Sequence, residues 1–387
     1  MRFEVLNARE LDSGLVAVWQ DLRARWPEAY GSPFFHPRFA AQVGAVRGDV
    51  RVVLGRVEGQ VVLIWPVQGR GGVVRAVGAP LNDRHGPIVW REAFAGVPLA
   101  RVAAQALAKL GEASTSLSGV PESLGLPGEA PQPAWRVMLE ADPTAYWQAR
   151  QAAGPADFKD MRRRARLAER TYGAVELVSA PLSAAGILGQ VLALKTEQFR
   201  RTRRHDVLAP VWVRELLDRL AADAGLASAG GFGGSALALR AGDTWAAVEF
   251  NLRDGAEVHS WLAAYAPAFR NIAPGMMLLE QAIDHYARSG VAALDLGVGS
   301  DQYKTLYANA STDIVEATCV ASGLRGALYA LGSRAWAALE GLSAPASLAA
   351  LTQRTRRRFN QLAALEPTVL GRLSGVATAL TKGLRRS

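Results

Sequence analysis

The sequence predicts an α/β protein: two mixed-sheet domains followed by a helical, basic C-terminal tail. Three features carry this. The chain has 387 residues, enough for two domains at about one to two hundred residues each. Half of its residues are hydrophobic and a fifth are charged, the balance of a chain that buries a core. Short apolar runs punctuated by Gly and Pro alternate with helical patterns of about ten to fifteen residues, in two broadly similar halves.

The elements follow in order. LDSGLVAVWQDLRARW has apolar residues at helical spacing. RVVLGRVEGQVVLIWPVQ makes two strands around a Glu58-Gly59 turn, and AVGAPLNDRHGPIVW is strand, polar loop, strand. AFAGVPLARVAAQALAKLG is a helix stopped by Gly111. The Gly-, Pro- and Ser-rich stretch 111–134, with room for one short strand, closes a first domain over 1–140. The second, 141–323, opens on two helices, TAYWQARQAAG and DFKDMRRRARLAERTYG, then a strand, VELVSA. Two more helices follow, the second stopped at Gly225, then three strands over 235–267. PGMMLLEQAIDHYARSG is a helix with Pro274 in its first turn and Gly290 at its end. AALDLG and DIVEATCVAS are its last strands, and 324–387 is an Ala- and Leu-rich helical tail.

Composition narrows the function. A single cysteine, Cys319, makes no internal disulfide and no zinc or iron–sulfur cluster, so no metal is expected. The N-terminus is charged at Arg2, Glu4, Arg9 and Glu10, unlike a signal peptide, and no apolar run is long enough to span a membrane. A cytoplasmic protein is expected. The net charge is +9, of which residues 351–387 hold +7: eight basic residues against Glu366 alone. The basic character therefore belongs to the tail, which suits peripheral contact with the anionic inner face of a membrane, docking on an envelope-assembly complex, or plain solvation.

The stretch from Thr244 to Tyr307 carries the chemistry. RNIAPG leads into a helix start, where unpaired N–H groups and a partial positive charge suit a pyrophosphate, with Arg270, Asn271 and Gly275 beside it. Pro-Gly at a helix start is also simply a cap. Asp295 ends an apolar strand and is followed by Gly297, Gly299, Tyr303 and Lys304, the kind of strand end at which α/β sheets bind ligands.

HSWLAAYAPAFRNIAPGMMLLEQAIDHYARSGVAALDLGVGSDQYK resembles the C-terminal signature of BioF2-like, CelD-type acyltransferases of the GNAT superfamily, relatives of the Fem peptidyltransferases. The matching pieces are His259 with Trp261, Pro274-Gly275, Asp295-Gly297-Gly299 and Tyr303-Lys304. SPFFHPRF, the strand pair ending in WPVQ, and GAPLNDRHGP extend the likeness over about residues 30–320. Ala273 stands where the pattern commonly has Ser, and Asp301 fills its acidic position.

The resemblance implies two GNAT-like domains in Fem-type tandem, and transfer of an acyl group from acetyl-CoA or another acyl-CoA to an amine or hydroxyl. The donor would lie against Arg270, Asn271, Pro274, Gly275 and Met276. Glu249 and His259, on the two central strands, are both candidate bases, and which faces the donor depends on strand register. Asp295 would position the acceptor or its own loop, and Lys304 would supply a cation to a phosphate or developing oxyanion. Asp83 and His85 in the first half, Trp261, Tyr303, Arg200 and Arg204 are candidate acceptor contacts. Arginines 162–170 and 200–204 suit a phosphate-bearing acceptor or a solvated face. The acceptor expected is a sugar or glycan precursor of exopolysaccharide or cell-envelope biosynthesis, with no DNA partner. Two alternatives stand: a Fem-type transferase using aminoacyl-tRNA, and a non-catalytic GNAT-like module of an envelope-assembly complex.

Overall fold

A computed structural model describes residues 1–179, 184–202 and 204–341. The chain begins with β1 (Arg2–Asn7), α1 (Ser13–Ala24), α2 (Pro27–Tyr30) and α3 (Pro37–Val46). Then come β2 (Val50–Val57), β3 (Gln60–Gln68), β4 (Val73–Arg75), β5 (Ile88–Val89), α4 (Leu99–Leu110) and β6 (Ser114–Pro121). Next are β7 (Gln132–Met138), α5 (Thr144–Ala153), α6 (Pro155–Tyr172), β8 (Val175–Ser179), α7 (Ala184–Thr202), α8 (Val211–Ala222) and α9 (Ala224–Ser228). The chain continues through β9 (Phe232–Ala241), β10 (Thr244–Asp254), β11 (Glu257–Tyr265), α10 (Pro274–Arg288) and β12 (Ala293–Val298). The last described elements are α11 (Gln302–Tyr307), β13 (Ala310–Val320) and α12 (Leu324–Gly341).

Turn chemistry sets many of these bounds. Glu58 and Gly59 both have positive φ (49° and 84°), the geometry of the tightest hairpin turns, and join β2 to β3. Gly111, at φ 74°, ends α4 with a left-handed cap. The helix expected to run to Gly225 breaks instead at Asp223, where α8 gives way to α9. β1 was not expected. Its burial does not alternate cleanly, and its pairing with β2 makes it a strand.

Two compact units result, and they are not contiguous stretches. Among the described residues, one comprises 1–27, 43–131 and 315–341, the other 28–42 and those within 132–314. In the first, strands run β1-β2-β3-β4-β6, with β5 also on β3. β4 and β6 are parallel and the other described pairs antiparallel. In the second the order is β7-β12-β11-β10-β9-β8. β11 and β12 are parallel, and residues 310–314 of β13 pair with β7. Residues 132–140, read from the sequence as the end of the first domain, and residues 28–42 group with the second unit. There Phe34 stacks edge-on against His259 and Trp261 (ring centroids 4.9 and 5.6 Å). The core of this unit lies between its sheet and α5, α6 and α10, around Phe158, Leu278, Tyr286 and Tyr307. The tail expected over 324–387 begins as α12, and residues 342–387 lie outside those described.

Candidate active site

The pairing of β10 with β11 decides which side chains meet. Glu249 lies opposite Ala263 and Phe250 opposite Leu262, but the next pair is Leu252 with His259. β11 therefore carries one residue more than β10 across this step, a β-bulge. Asn251 secures it. Its Oδ1 accepts from the Trp261 amide (3.1 Å), and its Nδ2 donates to the Tyr286 hydroxyl (2.9 Å). In an unbroken strand His259, four residues from Ala263, would share the face of Glu249. The extra residue inverts the alternation and sends His259 to the opposite face.

A cavity of about 580 Å³ opens on the Glu249 face of the second unit. β10 and β11 contribute Glu249, Ser260 and Ala263; the turn before α10 contributes Arg270, and the start of α10 contributes Pro274, Gly275 and Met276. Asp301 and Tyr303 come from the start of α11, and Arg201 from α7. Glu249 is only 4% exposed, and Ser260 Oγ donates to its Oε1 at 2.7 Å. Burial pushes the Glu249 carboxyl above its ordinary range, and hydrogen bonds from Ser260 and Asn251 offset this in part. The Tyr303 phenol is pushed up to about 12, first by burial, then by the negative charges of Asp301 and Glu249. Burial thus favours the neutral form of both the Glu249 carboxyl and the Tyr303 phenol, and both groups line the cavity.

The opposite wall is the N-terminus of α10, fifteen residues long with Pro274 in its first turn. Ala273 adopts a left-handed conformation (φ 51°) and its carbonyl closes the turn onto the Met276 and Met277 amides. A Cβ placed on Gly275 would meet nothing within 4 Å, so the space above this helix start is open. First-turn N–H groups, the helix dipole and the exposed Arg270 and Arg201 together make this wall electropositive.

The remaining candidates lie elsewhere. Asn271 turns out of the cavity: its carbonyl accepts from Arg164 (2.9 Å), and its side chain meets the Tyr172 hydroxyl (3.4 Å). His259 is fully buried, its Nδ1 3.4 Å from Asp295 Oδ2. Trp261 packs between Phe34 and Phe250. Asp295 accepts from the Gly297 amide (2.7 Å), and Lys304 is buried with its Nζ donating to the Val298 carbonyl. Together these bonds shape the glycine loop that carries Asp301 and Tyr303. Arg200 and Arg204 are exposed and line no described cavity, while their neighbour Arg201 does. Asp83 and His85 belong to the first unit, where His85 is buried against the Pro66 carbonyl (2.7 Å) and desolvation lowers its pKa to about 4. Among the described residues no group of His, Cys, Asp and Glu could hold a metal, and no helix is long and apolar enough to cross a membrane.

Residues 157–305 match the family model described as an acetyltransferase (GNAT) domain, and this span holds the cavity. Over that span the chain is similar to a GNAT acetyltransferase domain. Among solved structures, FemX is similar at a TM-score of 0.50 and 10% identity, over 73% of this chain and 90% of FemX. That likeness shows a shared fold. A second similar structure is the C-terminal domain (DUF2156) of a protein provisionally named lysylphosphatidylglycerol synthetase from Agrobacterium fabrum. It gives 0.48 and 14% identity, over 82% of this chain and 95% of that one. A third is a tandem GNAT protein from the clavulanic acid biosynthesis pathway, at 0.46 and 16% identity, over 84% and 99%. No curated protein matches the chain.

Proposed function

We propose that this acyltransferase takes its acyl group from acetyl-CoA or a longer acyl-CoA and passes it to the amine or hydroxyl of a sugar or glycan precursor. The observation that carries the donor assignment is the cavity itself: one wall is an electropositive helix start with open space over Gly275, and its floor is the buried Glu249. The CoA pyrophosphate suits the Arg270–Met276 turn and Arg201. Glu249 accepts the proton of the attacking N–H or O–H. The acyl carbon exchanges its bond to sulfur for one to nitrogen or oxygen, and the departing sulfur takes a proton from the Tyr303 phenol or from water. The acceptor class rests on the resemblance to CelD-type chains, as does a place in exopolysaccharide or envelope biosynthesis. Contact of the basic tail with the inner face of a membrane rests on its charge of +7 over 351–387.

Calorimetric titration of wild type and Gly275→Trp with acetyl-CoA and a longer acyl-CoA tests this. Binding to wild type that is lost in the variant is expected, because the indole fills the space over the helix start. If wild type takes up neither thioester, the CoA donor is wrong, leaving aminoacyl-tRNA or a non-catalytic role.

A further inference from the structure

The cavity holds a hydroxyl and a carboxylate already bonded to each other. In the register of β10 and β11, Ser260 and Trp261 together stand opposite Asn251, so the bulge falls on them. Ser260 Oγ donates to Glu249 Oε1 at 2.7 Å, and both side chains line the cavity. Asn251 adds a hydrogen bond to the Glu249 carboxyl. It is itself fixed, by the Trp261 amide at 3.1 Å and the Tyr286 hydroxyl at 2.9 Å. A hydroxyl, a base within hydrogen-bond reach and a third group that orients the base make the arrangement that activates a nucleophile. The other lining residues offer no rival. Among the described residues around the cavity none is a cysteine, histidine or lysine. Two are tyrosines. Burial and the nearby carboxylates push the Tyr303 phenol up to about 12, which makes it a poor nucleophile, and Tyr265 stands 45% exposed with no bonded base among the described residues. Leu279 and Leu296, both buried, line the same space and limit water around an ester formed there.

We infer that Ser260 is a nucleophile, and that the acyl group passes through an ester on its Oγ before it reaches the acceptor. This rests on the acyltransferase reading of the cavity and divides the transfer into two halves. In the first, Ser260 Oγ bonds the acyl carbon, its proton moves to Glu249, and the carbon–sulfur bond breaks. The sulfur leaves as a thiol with the proton that Glu249 gives up, relayed through Tyr303 or water. In the second, the nitrogen or oxygen of the acceptor bonds the acyl carbon and its proton moves to Glu249. The ester bond to Ser260 breaks, and Oγ takes that proton back. Glu249 serves both halves as the same base, and neither half needs a further reactant.

The full chain would be incubated without acceptor, once with acetyl-CoA and once with p-nitrophenyl acetate, then quenched in acid and its acetyl groups located by peptide mass. The nitrophenyl ester carries the same acyl group but needs no CoA cradle. A single acetyl group on Ser260 is expected from either donor, with thiol or nitrophenol released in a burst of matching amount. Ser260→Ala should lose the adduct and the burst, Ser260→Cys should regain the adduct as a thioester, and Glu249→Gln should slow its formation about a hundredfold or more. Mapping in wild type depends on no variant folding. No acetyl group on Ser260 from either donor, an adduct on Glu249 or a surface lysine instead, or an equal burst from Ser260→Ala overturns the inference. The two readings fail separately. Labelling of Ser260 by the nitrophenyl ester but not by acetyl-CoA keeps the nucleophile and sinks the CoA donor. Calorimetric uptake of acetyl-CoA with no labelling by either compound keeps the donor and sinks the nucleophile.

Discussion

Glu249 is the residue on which the site turns. Its carboxyl is raised because burial penalises the charged form. A base must be ionised, so turnover is expected to fall as pH drops through that raised pKa, and Glu249→Gln should lose about a hundredfold or more in kcat and the acid limb with it. A pH–rate profile of both proteins checks this, and an unchanged acid limb in the variant would assign it to another group. The same shift makes a stability prediction. The folded protein holds the Glu249 proton more tightly than the unfolded chain, so no penalty exists below the unfolded pKa. As pH rises through the folded value, a buried charge must form and stability is lost. Glu249→Gln should therefore melt above wild type at pH 8, with the gap closing toward pH 4 in a thermal scan. Histidine is the side chain more often used as a base, but the cavity does not reach His259.

At the scale of elements, the bulge in β11 and the loop before α11 do the positioning. Asn251 satisfies the Trp261 amide and the Tyr286 hydroxyl inside the sheet. Asn251→Ala leaves both without that partner, at about 1–3 kcal/mol for each buried group. The expected outcome is a clear drop in denaturation midpoint with a fall in kcat, since the bulge also aims Ser260 at Glu249. Retained stability would mean that the strands hold the bulge without it. The glycine loop is a second case. Gly297 and Gly299 have φ of 73° and 135°, and a Cβ on Gly299 would come within 3.2 Å of Lys304 Nζ. Gly299→Ala is therefore strained by both backbone and space. It should weaken catalysis through misplacement of Tyr303, read as lower kcat with acetyl-CoA affinity held.

At the scale of the whole chain, the residues that line the Glu249 cavity fall between 194 and 303, while most of the excess charge lies in 351–387. Removing 351–387 should leave acyl transfer intact and, if the tail is a membrane anchor, abolish sedimentation with anionic vesicles. Equal sedimentation after truncation would dispose of the anchor. The α/β class, the Glu58-Gly59 hairpin, the stop at Gly111 and the Pro-Gly start of α10 could all be read from the chain. Each is a local matter: a glycine that tolerates positive φ, a proline that fits a first helical turn, a period of two or of 3.6. The GNAT-like character was legible for a related reason, because its pieces recur in a fixed order along one strand–turn–helix–strand run. Three things were not legible: the extra residue in β11, the capture of residues 28–42 by the second unit, and the choice of Arg201 over Arg200 and Arg204. None has a local signal. A bulge exists only where one strand is matched against another, and a helical arginine faces a cavity only once the helix has docked. Facing and neighbourhood are properties of pairs of segments far apart in the chain, and they arise when those segments pack.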